Sequence, residues 1–268
     1  MSSFDELGDR VFRRRYSHLD LNVGVVIGEA GTLVIDTRAS HREGGELREE
    51  LRRLTDRPVV GVINTHFHWD HVWGNSRFAD MPIWGHVRCR DFLLESGDAM
   101  RQHVLAQIEP EFRGQVEEVV TVPPNETLET SDRIHLGDRV VLLNHHGRGH
   151  TDSDLVVTVP DADVTFAGDL LEEGAPPSFG DSFPLEWPRT LAAVDFSSTI
   201  VPGHGDVVDR AFVEQQRGEL EAVAQALRDA DPDAIQAPPG PYPPRVMASA
   251  WERQLHLAGA DRGQAPGS

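Results

Sequence analysis

Apolar and polar positions alternate along the chain in two periods, one suited to strands and one to helices. β-Branched runs at 22–28 and 32–37, joined by Glu29-Ala30-Gly31, predict a hairpin. Leu47, Leu51 and Leu54 recur at helical spacing within 40–54, so a helix covers one face of that sheet. A strand at 58–63 follows, then a short helix at 74–79, a short strand at 82–84 and a mostly helical stretch at 87–117 with breaks near Gly97 and Pro110. Short β-rich runs occupy 119–122, 133–136, 139–144, 155–159 and 164–167. A helix at 188–194, a strand at 199–201 and a helix at 209–230, with Phe212, Leu220, Val223 and Leu227 inward, complete the pattern. Two similar halves predict an α/β fold of two sheets packed face to face between helices.

Residues 237–244, rich in proline, predict an extended spacer. Beyond them Met247, Trp251 and Leu255 predict a docking helix, with a loose tail from about Gly259. Residues 1–236 form the main unit in this reading, and 237–268 belong to the same domain.

Composition removes several classes of function. A single cysteine, Cys89, excludes an intramolecular disulfide and a thiolate metal cage. The sequence contains no lysine, which excludes Schiff-base chemistry. A formal net charge of −19 argues against nucleic acid as a partner, because phosphate binding needs cationic groups. Arg13-Arg14-Arg15 reads as a solvated strand face. No apolar run has signal-peptide or membrane-spanning form, so a cytoplasmic protein with a small-molecule substrate and no membrane partner is expected.

The densest chemistry is Asn64-Thr65-His66-Phe67-His68-Trp69-Asp70-His71, directly behind the apolar run 59–63. Imidazole and carboxylate donors suit a borderline cation such as zinc. His66 and His68, two apart, can reach one ion while Asp70 and His71 turn towards another. Three more candidates follow apolar strands and glycines: His150 in Gly149-His150-Thr151, Asp169 in Gly168-Asp169, and His204 in Gly203-His204-Gly205. His145 and His146 read as supporting or surface residues, and His18, His41, His86, His103, His135 and His256 as ordinary ones.

The spacing His-x-His-x-Asp-His, with these later elements in order across 22–204, resembles the metallo-β-lactamase superfamily. The resemblance implies a four-layer αββα sandwich of two mixed sheets flanked by helices. It implies two zinc ions, with iron or manganese as substitutes: His66, His68 and His150 on one, Asp70, His71 and His204 on the other, and Asp169 bridging. Asp36 would be the carboxylate beneath the ligand loop that fixes its geometry. The implied reaction is hydrolysis of a small ester, lactone or thioester by a metal-bridging hydroxide, with Asp70 catalytic. Asp169 stands where some β-lactamases place a cysteine, which turns the expectation away from β-lactams. Alternatives are a mononuclear-iron persulfide dioxygenase of the same superfamily and a low-activity β-lactamase-like amide hydrolase. Because the loop after Asp169 must pass near the site, Phe179, Phe183 and Trp187 are expected to wall the substrate pocket.

Overall fold

In the computed structural model, which describes residues 4–232, 234 and 236–263, the β-branched runs pair into two mixed sheets. The first runs in chain order: β1 (Asp5–Gly8), β2 (Val11–Arg15), β3 (Asn22–Gly28), β4 (Gly31–Ile35), β5 (Val59–Ile63), β6 (Ile83–His86) and β7 (Glu126–Leu128). Its first four strands are antiparallel neighbours, and β4 to β7 are parallel. The second comprises β8 (Ser131–His135), β9 (Val140–Asn144), β10 (Val156–Val159), β11 (Val164–Glu172) and β12 (Thr199–His204), with only β11 and β12 parallel.

Val26, Leu33, Ile35 and Ile63 of the first sheet pack against Val141, Leu143, Val157, Phe166 and Val201 of the second. Burying each such side chain contributes about 1.5–3 kcal/mol, so period-two alternation decides which strand faces meet. On the outer face of the first sheet, α1 (His41–Leu54) buries Leu47 and Leu51 against Val23, Val25 and Val62. Ser40 caps that helix by accepting from the Glu43 N–H at 3.2 Å. The second sheet is covered by α5 (Trp187–Ala192), α6 (Arg210–Asp229) and α7 (Pro244–Gly263) through Leu191, Leu220, Val223, Met247 and Trp251. The four-layer αββα sandwich is therefore the observed architecture. Beside it, α2 (Trp69–Val72), α3 (Val87–Leu105) and α4 (Pro110–Glu117) enclose Phe67, Trp73, Leu93, Val104 and Val116.

Several local expectations need correction. Residues 119–122 form no strand; this segment lies against α3, which runs unbroken through Gly97, and the glycine admits Thr121 where a β-carbon would meet it at 3.0 Å. The predicted helix at 74–79 is a 3₁₀ turn at Trp73–Arg77. Arg13, Arg14 and Arg15 are not a solvated face: they pair with Asp5, Glu50 and Asp20, and Arg14 is buried. Val213, not Phe212, takes the buried place at the start of α6. Helix α7 continues past Gly259 to Gly263, and the expected tail beyond that lies outside the described residues. No helix among the described residues is long and apolar enough to cross a membrane.

His86 has a defined structural duty. It caps α3, its Nδ1 accepting from the Arg88 N–H at 3.2 Å and its Nε2 donating to Glu129 O at 3.0 Å. Burial, with the neighbouring His145 imidazole, pushes its pKa down to about 4. The native state thus resists a proton that the unfolded chain accepts near pH 6.5, so stability is complete above that pH and declines as pH falls towards 4. His86→Asn keeps a capping oxygen without titrating. Urea unfolding of this variant is expected to lose less stability between pH 6.5 and 4 than the unaltered protein does.

Candidate metal centre

The loop after β5 is held from below by one carboxylate. Asp36 accepts from Thr65 N at 2.8 Å, Thr65 Oγ1 at 2.7 Å and His71 Nδ1 at 2.8 Å. It joins the first and last parts of the ligand loop. Asp36 itself has a φ of 64°, a left-handed conformation that costs of order 1–2 kcal/mol for a residue with a β-carbon.

These bonds also settle which ring nitrogens face the cluster. Because the Thr65 hydroxyl donates to Asp36, it accepts from His66 Nδ1 at 3.0 Å, which leaves the His66 Nε2 lone pair free. His71 donates its Nδ1 proton to Asp36, and His204 donates Nδ1 to Leu19 O at 2.7 Å. Both therefore present Nε2.

β11 and β12 deliver the remaining donors. Asp169 lies within β11 where the pairing with β12 shifts register, and His204 closes β12. Gly203 permits this crowding: a β-carbon there would lie 1.8 Å from Asp169 Oδ1. His150 sits in the loop between β9 and β10, which is pinned where Leu155 N donates to Thr65 O at 2.7 Å.

All seven predicted ligand residues meet. Donor atoms of His66, His68, His150 and Asp169 lie within 4.8 Å of one another, as do those of Asp70, His71 and His204. Asp169 touches both groups: its oxygens are 3.2 Å from His71 Nε2, 3.4 Å from His204 Nε2, 3.5 Å from His150 Nε2 and 3.7 Å from His66 Nε2. Ligands about 2.1 Å from a tetrahedral zinc ion stand about 3.4 Å apart, which matches this spacing.

The donors also fit cations chemically. His66 Nε2 and Asp169 Oδ1 are buried without a hydrogen-bond partner. His68 Nδ1 and His150 Nε2 face each other at 2.8 Å, and His71 Nε2 and His204 Nε2 at 3.3 Å. Each unpaired buried group costs about 1–3 kcal/mol. Burial opposes charge on His71 and His204, but Asp169 beside them outweighs it and draws protons to both, so a bound cation would take the place of those protons. Burial alone would raise the Asp70 carboxyl, but His71 and His204 outweigh it and hold it at about 2. Burial, followed by His68, pushes His150 down to about 3, which keeps it neutral as a ligand must be.

Above the cluster opens a cavity of 760 Å³. Its apolar wall is Trp69, Phe92, Met100, Val104 and Ile108, from α2, α3 and the turn after it. Phe179, Phe183 and Trp187 do not line it and are buried. Phe179 and Trp187 join the apolar layer beneath α5 and α6, and the Trp187 ring buttresses His150 at 5.6 Å. Phe183 lies under the Arg148 guanidinium at 4.3 Å. The loop after Asp169 does reach the cavity, but with Ser178, Gly180 and Asp181.

Two further acidic residues border the cluster. Glu172 groups with Asp169 and His204, and burial together with the Asp169 charge pushes its pKa up to about 8. Its signal in the sequence is a second carboxylate three residues after Asp169, closing Leu170-Leu171. Asp181 approaches His68 Nε2 at 3.1 Å.

Seven converging imidazole and carboxylate donors at the strand ends of an αββα sandwich define a metal-binding protein of that fold. The chain belongs to the metallo-β-lactamase superfamily, whose family profile matches residues 19–232. A metallo-β-lactamase type 2 of Bacillus cereus is 22% identical over 198 residues, covering 71% of this chain and 69% of that one. The acyl-coenzyme A thioesterase MBLAC2 of Bos taurus is 29% identical over 189 residues, covering 63% and 66%. Among solved structures, a metallo-β-lactamase from Pontibacter korlensis superposes with a TM-score of 0.66 at 18% identity, over 82% of this chain and 98% of that one; this likeness concerns the fold.

Metal should therefore stabilise the chain. Titrating zinc into chelator-stripped protein is expected to raise the unfolding free energy by about 2.7 kcal/mol at a free concentration one hundred times Kd. Asp36→Asn removes the charge that orients Thr65 and His71 and is expected to weaken zinc binding about 10–100-fold, read by chelator competition.

Proposed function

We propose that this protein is a binuclear metal-dependent hydrolase of a small, uncharged ester, lactone or thioester. The observation that carries this reading is the double donor cluster, bridged by Asp169, on the floor of a cavity with an apolar wall. His66, His68 and His150 would hold one ion, and Asp70, His71 and His204 the other. When bound there, divalent ions such as zinc, iron or manganese supply an acidified water as nucleophile and polarise the carbonyl it attacks.

The chain's own residues do the rest. Asp70 lines the cavity, and its ionised carboxylate is positioned to accept and orient a water proton. Asp36 keeps the Nδ1 proton of His71 in place, so that Nε2 stays directed at the cluster. The acyl portion of the substrate would lie on Phe92, Met100 and Val104, with water excluded between them.

Charge narrows the substrate class. Asp70, Glu109, Asp169, Glu172 and Asp181 line the cavity, and no arginine does among the described residues. Two bound divalent ions would exceed the charge of Asp70 and Asp169 at the floor, where Glu172 is mostly neutral at pH 7, but the exposed Glu109 and Asp181 keep the mouth acidic, which disfavours anionic groups there. The thioesterase relative supports a thioester as one candidate, with any charged leaving group outside the cavity. The β-lactamase relatives support an amide hydrolase as the alternative. A one-iron dioxygenase is less well supported, because it would leave the Asp70, His71 and His204 donors unused.

Metal analysis beside a panel of esters, lactones, thioesters and β-lactams tests the proposal. Two metal equivalents with turnover of the uncharged substrates support it; metal-loaded protein inert towards all of them would refute it. Asp70→Asn is expected to lower kcat/KM by about 10²–10⁴-fold while the three-histidine group still binds an ion. Phe92→Ala should raise KM for apolar acyl substrates about tenfold, the loss of about 1.4 kcal/mol of apolar contact. An unchanged KM in that variant would remove α3 from the substrate site.

A further inference from the structure

Asp181 lies in the loop between β11 and α5, and its Oδ2 is 3.1 Å from His68 Nε2. The other ring nitrogen of His68, Nδ1, faces His150 Nε2 at 2.8 Å, inside the donor cluster. With Nδ1 turned to the ion site, the ring proton belongs on Nε2, where Asp181 accepts it. Among the loop ligands, His66 and His71 are oriented from within by Thr65 and Asp36. His68 takes its orienting contact from this distant loop instead.

The peptide that carries Asp181 is held by the carboxyl-terminal helix. Arg253 on α7 donates from Nη2 to Asp181 O at 3.0 Å and from Nε to Ser182 O at 2.8 Å. Its guanidinium carbon also stands 5.2 Å from the centre of the Phe183 ring. A planar fork on two successive carbonyls fixes both the position and the tilt of the peptide between them, which a flexible ammonium would not do. Arg253 is 72 residues from Asp181 and lies outside the stretch 19–232 that the family profile matches.

The loop has other anchors as well. Phe183 N donates to Gly149 O at 2.8 Å, and Ser182 Oγ donates to Phe179 O at 3.1 Å. Loss of Arg253 should therefore shift the Asp181 peptide without unfolding the loop.

We propose that α7 is a positioning element of the metal centre: Arg253 holds the Asp181–Ser182 peptide so that the Asp181 carboxylate fixes His68 as a ligand. This rests on the reading of the cluster as a two-ion centre. In that centre, Arg253 and Asp181 act on the ion held by His66, His68 and His150 and leave the other ion untouched. A carboxylate behind a ligand histidine typically accounts for a 10–100-fold change in metal affinity.

The test is a zinc titration of the full-length chain against a chromophoric chelator, with cobalt(II) absorption reporting ligand geometry. Asp181→Ala is expected to weaken one of the two ions about 10–100-fold and to leave the other within about threefold. Arg253→Ala should weaken the same ion less, and the double variant should match Asp181→Ala alone, because both residues act through one contact. Arg253→Lys, which keeps a single donor nitrogen but not the fork, should fall between Arg253→Ala and the unaltered chain. Asp181→Asn, nearly isosteric, guards against loop damage in the alanine variant and should give a smaller loss at the same ion.

Zinc affinities within about twofold of the unaltered chain in folded Asp181→Asn and Arg253→Ala would overturn the proposal. So would effects that multiply in the double variant, since independent contacts add in free energy. An unaltered chain that binds fewer than two zinc ions would instead overturn the two-ion reading, and this proposal with it.

Discussion

The carboxylate of Asp36 is the constraint on which the centre depends. It sits at the end of β4 in a left-handed conformation and takes three hydrogen bonds from a loop that begins on the neighbouring strand. Two of those bonds, from the Thr65 hydroxyl and His71 Nδ1, set the tautomers of His66 and His71. Local strain at one residue is thereby exchanged for a ligand loop whose lone pairs already converge. The parallel pairing of β4 with β5 makes this possible, because it brings the end of one strand beside the start of the loop that follows the other.

Repulsion runs through the site as a second theme. Imidazole nitrogens face one another at hydrogen-bond distance, with the buried carboxylates of Asp70 and Asp169 among them. Such an arrangement calls for positive charge, supplied by protons on His71 and His204 or by metal cations, so protonation, metal binding and folding are linked. The surrounding layers hold the groups against that repulsion. Gly203 lets β12 approach Asp169, and the Trp187 ring backs His150.

The residues whose donors converge were readable from sequence because each carries a local mark. Four chelating side chains crowd six positions after an apolar strand, and His150, Asp169 and His204 each follow a glycine. The layer order was readable from two competing periods. The pocket wall was not. Nearness in sequence to Asp169 pointed to Phe179, Phe183 and Trp187, yet Phe179 and Trp187 turn into the apolar layer with α5 and α6, and Phe183 is buried beneath Arg148 and Arg253. Phe92 and Met100, which line the cavity, lie in a stretch whose sequence says only that it is mostly helical, since periodicity records apolar faces without saying which neighbour each one meets. Gly97 looked like a break and serves instead as a contact. Arg253 and Asp181 had no readable link, because their meeting depends on how α7 docks.

Helix α3 carries two jobs on two sides. Cys89 and Leu93 point into the packed layer, whereas Phe92, Ser96, Ala99, Met100 and His103, with Gln107 in the turn just beyond the helix, line the cavity at helical spacing. None of the six cavity-facing side chains is fully buried, and none supplies a metal donor. Changes there escape the steep penalties of core substitution and leave the reactive centre intact. A lineage carrying this helix can try new substrates one residue at a time, keeping the costly chemistry while the wall above it drifts.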